Sequence, residues 1–254
     1  MLQVFRLMLC QAEAHISSGK LYKIQITQEG KKMEDTHLVR IPDRGVTERL
    51  VTFMDDFVIE KAGHGKILLD IGCGRGVFTE KLTEKYSTVA GVDIIKEEIF
   101  AETGHNGRAV FSAMDANQLG FKDGVFDTII SRYTFHHLDL KRANLEVKRC
   151  LKPGGRFVMV DTEETFWRFS SRISYFLFGV RRLGIINFLK ILPDLLKYFF
   201  TKEALAHRRE DILRLKKEKN FTVNDFVKTY KTYFPDAEVG THRWAGYVLW
   251  QKPE

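Results

Sequence analysis

The stretch LLDIGCGRG, residues 68–76, runs an apolar strand into an acid, Asp70, and three alternating glycines, Gly72, Gly74 and Gly76. Such a stretch lowers stability unless something has to come close to the backbone there. A glycine-rich turn after a strand lets backbone N–H groups and the start of the next helix face a ligand with no side chain in the way. The reading is a small molecule bound at the end of a first strand, KILLDIG. The dinucleotide spacing GxGxxG would need glycine at position 77, where the chain has Val77, so a nicotinamide dinucleotide loses ground.

Working outward, short β-branched apolar runs alternate with helical patterns, the signature of a parallel sheet covered by helices. Gly76 to Tyr86 carries Phe78, Leu82 and Tyr86 at four-residue steps, which predicts one helix. TVAGVDII is the second strand and ends near Asp93, where a carboxylate can accept both ribose hydroxyls of an adenosine. RAVFSAMD is the third, ending at Asp115, and FDTIISRY the fourth. Ala143, Val147, Cys150 and Leu151 share a helical face, and Pro153 with Gly154-Gly155 ends that helix and turns the chain into a fifth strand, RFVMVD. The alternation then breaks between Glu163 and Asn220. TVNDFVKTYKTYF reads as a last helix with Thr222 as N-cap, and AEVGTHRW and GYVLWQK as a closing hairpin around Ala245-Gly246. Upstream, Leu50, Phe53, Met54, Phe57 and Val58 fall at helical spacing, so residues 1–60 read as a helical extension or cap before a domain at 61–254.

Four of these motifs in order, LLDIGCGRG, GVDII, MDANQLGFKDGVFDTIISRYTFHHL and CLKPGGRFVMVD, resemble the class I S-adenosylmethionine-dependent methyltransferases, of the type 11 kind. The resemblance covers Lys66 to Asp161, with the final helix and hairpin similar to that family's antiparallel ending. It implies a Rossmann-like α/β fold: a seven-stranded, mostly parallel sheet with an antiparallel final strand, helices on both faces and a helical insertion as lid. It also implies S-adenosyl-L-methionine as cofactor. Asp70 and the Gly72, Cys73, Gly74 and Gly76 loop would hold the methionine moiety or orient its loop, and Asp93 would bind the ribose. Ile94 would pack on adenine, Asp115 and Ala116 would read its edge, and Ser131 would lie near the transferring methyl.

Methyl transfer from a sulfonium is an in-line displacement in which positioning and desolvation do most of the work, so no metal or covalent residue is required. A base helps where the acceptor is a hydroxyl or a protonated amine. His136 in RYTFHHL, just past the fourth strand, is the candidate, with pocket shaping or helix capping as its alternative role. The place where base-amino methyltransferases carry an Asn/Asp-Pro-Pro-aromatic run reads SRYT, which argues against nucleic-acid bases as acceptor. The acceptor is then a small, apolar or amphipathic molecule. A lipid or quinone-type acceptor at a membrane surface, or a catalytically silent adenosyl-binding subunit, are the alternatives.

The 254 residues carry a net charge of +7, and thirteen Lys/Arg against seven Asp/Glu between residues 163 and 220 account for most of it. In that segment aromatic residues alternate with Arg168, Arg172, Arg181, Arg182, Lys190 and Lys197. The segment reads first as the lid; the stripe 166–200 also suits, as an alternative, peripheral contact with anionic lipid or a homodimer surface. Three cysteines, Cys10, Cys73 and Cys150, without CxxC spacing point to neither a disulfide framework nor a zinc site, and so to a reducing cytoplasm. The opening MLQVFRLMLC lacks a basic leader and a small-residue cleavage pattern, which predicts a packing helix rather than a signal peptide.

Overall fold

The computed structural model describes residues 54–95, 108–162, 180, 184–186, 188–190, 192–193, 222–242 and 245–254. Its elements, in order, are α1 (Asp55–Ala62), β1 (Gly65–Ile71), α2 (Val77–Lys81), β2 (Tyr86–Asp93), β3 (Val110–Ala113), β4 (Phe126–Arg132), α3 (Leu140–Cys150), β5 (Leu151–Thr162), α4 (Val223–Tyr233), β6 (Glu238–His242) and β7 (Ala245–Gln251). One seven-stranded sheet has the order β3-β2-β1-β4-β5-β7-β6. β1 to β5 are parallel, and β7 runs antiparallel to both of its neighbours. This is the Rossmann-like sheet with the expected antiparallel ending. Its strand order reverses between β1 and β4, the crevice where open α/β sheets take ligands.

The strands are apolar on both faces because both are covered. On one side Leu69, Ile71, Val92, Ile129 and Phe157 pack against Ala143, Val147 and Cys150 of α3 and Phe226 and Tyr230 of α4. On the other, Leu68, Val89, Ile130 and Val158 meet Met54, Val58 and Ala62 around α1 and Phe78 of α2. Neighbouring residues such as Leu68 and Leu69 thus serve opposite cores, the period-two signature of a strand. Phe157 has no exposed surface; cutting it to Ala would cost about 3–5 kcal/mol.

Helix ends follow local chemistry. Asp139 caps α3 by accepting from the N–H groups of Lys141 and Arg142 at 3.0 and 3.2 Å, and Lys148 and Arg149 occupy the last turn, where the carbonyl end favours cations. Thr222 caps α4 as expected, accepting from Asp225 N–H at 3.2 Å.

Three boundaries differ from the sequence reading. Tyr86 opens β2 instead of closing a helix: α2 stops at Lys81 and a 3₁₀ turn, Leu82–Glu84, leads into the strand. β5 starts at Leu151, directly after α3, and takes Pro153-Gly154-Gly155 inside it with a register shift against β4. Ala245 and Gly246 lie already within β7, paired with His242 and Thr241 of β6, so they are strand and not turn; positions 243–244 lie outside the described residues. Also outside them are residues 1–53, with Leu50, Phe53 and Cys10, and most of the insertion at 163–220.

Candidate active site

The C-terminal ends of β1, β2, β4 and β5 converge on the glycine-rich loop. The N–H groups of Gly72 and Cys73 both donate to the carbonyl of Val92, at 2.8 and 3.0 Å, which ties the loop to the end of β2. Gly72 has φ +75°, and a Cβ there would fall 1.9 Å from Thr134 Oγ1, so the loop lies hard against the segment that follows β4. Gly74 has φ +51°, but a Cβ there would meet nothing within 4 Å: its surface borders open space. Gly76, also left-handed, opens α2.

Asp93 links this loop to the rim. Its Oδ2 accepts from Gly74 N–H at 2.8 Å and its Oδ1 from Ile95 N–H at 3.0 Å. The carboxylate is half-buried, and Ile94 beside it is 49% exposed, an apolar side chain standing on the lip. Asp115, past β3, is half-buried too and accepts from Asn117 N–H at 2.8 Å, while Ala116 is buried. The Cys73 thiol is buried, and burial together with the nearby Asp70 and Asp93 charges pushes its pKa well above the usual thiol range.

Asp70 and Ser131 sit beneath the loop. The Asp70 carboxylate accepts from Thr79 Oγ1 at 2.6 Å. Burial, partly offset by the Arg132 charge, pushes its pKa up to about 6. The carboxylate is thus turned to Thr79 of α2 and is closed off from the loop's open surface. The Ser131 hydroxyl donates to Ile71 carbonyl at 2.8 Å and has no exposed surface, which locks β4 to β1. Arg132 stacks over the Phe78 ring at 3.5 Å from its centroid and pairs with Asp55 of α1 at 2.5 Å; Lys81 reaches the same carboxylate at 2.9 Å. α1 is thereby fastened to the strand ends that carry the site.

His136 lies on a 3₁₀ turn, Phe135–His137, that follows β4. Its backbone N–H donates to Asp161 Oδ2 at 2.8 Å, and its ring Nδ1 lies 2.5 Å from Asp161 Oδ1. The turn is reached through Tyr133, the one non-glycine residue with positive φ among the described residues, +54°. Sequence reasoning passed over Asp161, Thr134 and Thr79. Asp161 was within reach: like Asp70, Asp93 and Asp115 it is an acid at the C-terminal end of a parallel strand.

Comparison with known proteins places this architecture. Residues 69–159 match the model of a methyltransferase domain. An uncharacterized methyltransferase of Anoxybacillus flavithermus is 31% identical over 162 residues, covering 59% of this chain and 69% of that one. The chain belongs to the S-adenosylmethionine-dependent methyltransferases. A ubiquinone biosynthesis O-methyltransferase of Pseudomonas aeruginosa is 29% identical over 187 residues, covering 69% of this methyltransferase and 77% of the relative. The sterol 4-C-methyltransferase strm-1 of Caenorhabditis elegans is 33% identical over 104 residues, which cover 38% of this chain; the chain spans about a third, 31%, of that relative's length. Among solved structures, a candidate S-adenosyl-L-methionine-dependent methyltransferase of Methanococcus maripaludis has a TM-score of 0.50 at 15% identity, over 83% of this chain and 89% of that one, and so shares the fold.

S-adenosylmethionine is the cofactor of this methyltransferase, and the rim fits it in kind. Open space above Gly74 meets the need for close backbone approach, and half-buried carboxylates at the ends of β2 and β3 suit the polar edges of a nucleoside. Among the described residues no three His, Cys, Asp or Glu side chains come together as a metal-ligand set.

Proposed function

We propose that this methyltransferase alkylates a small, apolar or amphipathic acceptor at the rim formed by β1, β2, β4 and β5. The observation that carries the reading is the Asp93 carboxylate bonded to Gly74 N–H, which places a half-buried acid and an open glycine backbone side by side. In this reading the backbone of Gly72, Cys73, Gly74 and Gly76 receives the methionine tail, and Asp70 and Ser131 hold that loop and strand from beneath. Asp93 accepts from the ribose hydroxyls, Ile94 covers adenine, and Asp115 with Ala116 meets its edge. The cofactor supplies a methyl group made electrophilic by a positive sulfur. The protein's part is to orient the acceptor, exclude water and, through His136, take a proton.

Residues 61–254 form the catalytic domain in this reading, with 163–220 as an insertion over the acceptor and 1–60 as a cap. Phe188, buried against the core face shared with Met54 and Val58, anchors the described part of the insertion. The relatives' names favour apolar acceptors. A ubiquinone-pathway enzyme and a sterol enzyme both point that way.

Calorimetry with S-adenosylhomocysteine and incubation of methyl-labelled cofactor with an organic cell extract test the proposal. Binding followed by label in the apolar fraction is expected. Absence of binding overturns the site, whereas binding with no label in any fraction favours a silent adenosyl-binding subunit.

A second reading, work at a membrane surface, has its own observation. Ile185, Ile186 and Leu189 are 64%, 70% and 56% exposed, within the segment that carries the basic excess. No helix among the described residues is long and apolar enough to cross a membrane, so such contact would be peripheral. Flotation with vesicles containing phosphatidylglycerol decides it, and protein left at the bottom of the gradient removes it.

A further inference from the structure

The end of the sheet opposite the rim carries a second concave place. A cavity of about 360 Å³ opens where β1, β4 and β5 begin, and its wall holds His64, Lys66, Asp127, Lys152 and Arg156 beside glycine backbone. β1 is seven residues long, so about 20 Å of strand separates this cavity from the glycine-rich loop. The irregular start of β5 shapes it. From the pair Phe126 and Leu151 to the pair Thr128 and Arg156, the fifth strand carries more residues than the fourth, and the surplus bulges out of the ladder. A bulge re-aims the side chains around it, and here Lys152 and Arg156 both come to line the cavity.

The charges in this wall are held in place and only partly neutralised. Asp127 is taken up by protein: its Oδ2 accepts from Ile67 N–H at 2.7 Å and its Oδ1 from Lys152 Nζ at 2.7 Å. Arg156 donates from Nη1 to the Ala62 carbonyl at 3.2 Å. It lies against Gly63, whose left-handed φ of +73° would put a Cβ 2.6 Å from Nη1, so glycine at the end of α1 makes the room in which the guanidinium sits. Lys66 is exposed, and among the described residues neither it nor Arg156 pairs with an acid. Glu254, beside Gly154, is exposed and holds no cation among the described residues. Scattered surface cations are merely solvated, whereas cations fixed in a concave wall around an acid already satisfied form a receptor for an oxyanion.

We infer that this cavity is a second binding site, separate from methyl transfer, for the phosphate of a small monoester of the sugar-phosphate class. A guanidinium fork and ammonium groups match a tetrahedral dianion in shape and charge. The volume is that of a small-molecule site and exceeds what a free phosphate ion needs, which favours the ester. The wall has no large apolar side chain, so the rest of the ligand is polar. The apolar acceptor assigned to the rim has no surface to bind here.

Titration calorimetry with ribose 5-phosphate, inorganic phosphate and unphosphorylated ribose tests the inference. Ribose 5-phosphate is expected to bind with a Kd of about 1 mM or tighter, at least about tenfold better than inorganic phosphate, and ribose to give no heat of binding. In ¹H–¹⁵N spectra, ribose 5-phosphate should move the backbone amide signals of Gly65, Lys66 and Gly154 and leave those of Gly72 and Gly74 in place. Lys66→Gln removes a side chain that bonds to nothing among the described residues, so its urea midpoint should equal that of wild type. It should weaken ribose 5-phosphate about threefold, and Lys66→Gln with Arg156→Gln about tenfold or more, the range of exposed charge contacts. Absence of saturable ribose 5-phosphate binding overturns the inference. So do inorganic phosphate bound equally well, signals moving at Gly72 and Gly74 instead, and a double variant that binds like wild type.

Discussion

Two alanine substitutions in one loop should separate packing from ligand approach. At Gly74 the left-handed φ of +51° makes alanine strained, by about 1–2 kcal/mol. Loss of glycine's freedom in the unfolded chain returns about 0.4–1 kcal/mol of that. Nothing lies within 4 Å of the new methyl group, so no steric term is added. Folding stability of Gly74→Ala should drop by no more than about 1.5 kcal/mol. The same methyl projects into the space the cofactor tail would occupy, and S-adenosylhomocysteine affinity should fall at least tenfold, about 1.4 kcal/mol or more. At Gly72 the strain is similar, with φ +75°, but the Cβ would sit 1.9, 2.5 and 2.6 Å from three side-chain atoms of Thr134. The loop cannot slide away, because Gly72 and Cys73 N–H are both bonded to Val92. Overpacking of about 1–3 kcal/mol adds to a net backbone cost of up to about 1.5 kcal/mol, so Gly72→Ala should lose roughly 1–4.5 kcal/mol. Urea unfolding gives the stabilities and titration calorimetry the affinities. A Gly74→Ala protein that binds S-adenosylhomocysteine within threefold of wild type would refute the claim that this backbone meets the cofactor. A Gly72→Ala protein as stable as wild type would refute the packing.

Three further outcomes follow from the same geometry. Asp93→Ala should weaken S-adenosylhomocysteine binding ten- to a hundredfold, since a charge-assisted ribose contact is worth about 1.5–3 kcal/mol; calorimetric affinity equal to wild type would remove Asp93 from the ribose. Burial raises the Asp70 pKa from 3.8 to about 6, so the folded state holds this proton more tightly than the unfolded state, and the group's contribution is full below pH 3.8 and lost as pH rises through 6. Asp70→Asn lacks that loss and should gain about 2.4 kcal/mol relative to wild type between pH 4 and pH 7 in urea unfolding; parallel pH dependences would show the carboxylate to be unperturbed. Arg149, which donates to Glu146 at 2.9 and 2.7 Å, to Asp123 at 2.7 Å and to the carbonyls of Phe121 and Leu119 at 2.6 and 2.9 Å, closes the loop before β4. Arg149→Met should lower stability by about 2–3 kcal/mol, and a change below 0.5 kcal/mol would mean that water replaces those bonds.

Strand identities were legible because each parallel strand is short, apolar on both faces and followed by a turn. Boundaries depended on partners far away in sequence. The four-residue steps of Phe78, Leu82 and Tyr86 imitate a helix, but the Tyr86 hydroxyl donates to Ala62 carbonyl at 2.6 Å and lies 3.0 Å from Thr128 Oγ1. Those contacts hold Tyr86 at the base of the sheet, and no local period announces them. The Pro153-Gly154-Gly155 break was legible as a break but not as a bulge, because only β4 and the returning β7 show that the strand resumes on the same line.

The site divides along a similar boundary. Asp70, Asp93, Asp115 and Asp161 all end parallel strands, and in sequence nothing ranks one above another. Burial separates them: Asp70 and Asp161 are 1% and 2% exposed, whereas Asp93 and Asp115 are half-buried. A buried carboxylate must be satisfied by protein groups, and these two are, by Thr79 and by His136. A half-buried one bonded only to backbone N–H keeps lone pairs that a ligand can reach. The two half-buried acids, Asp93 and Asp115, are therefore the ones that the proposed function turns to a nucleoside, while Asp70 and Asp161 are taken up by protein groups.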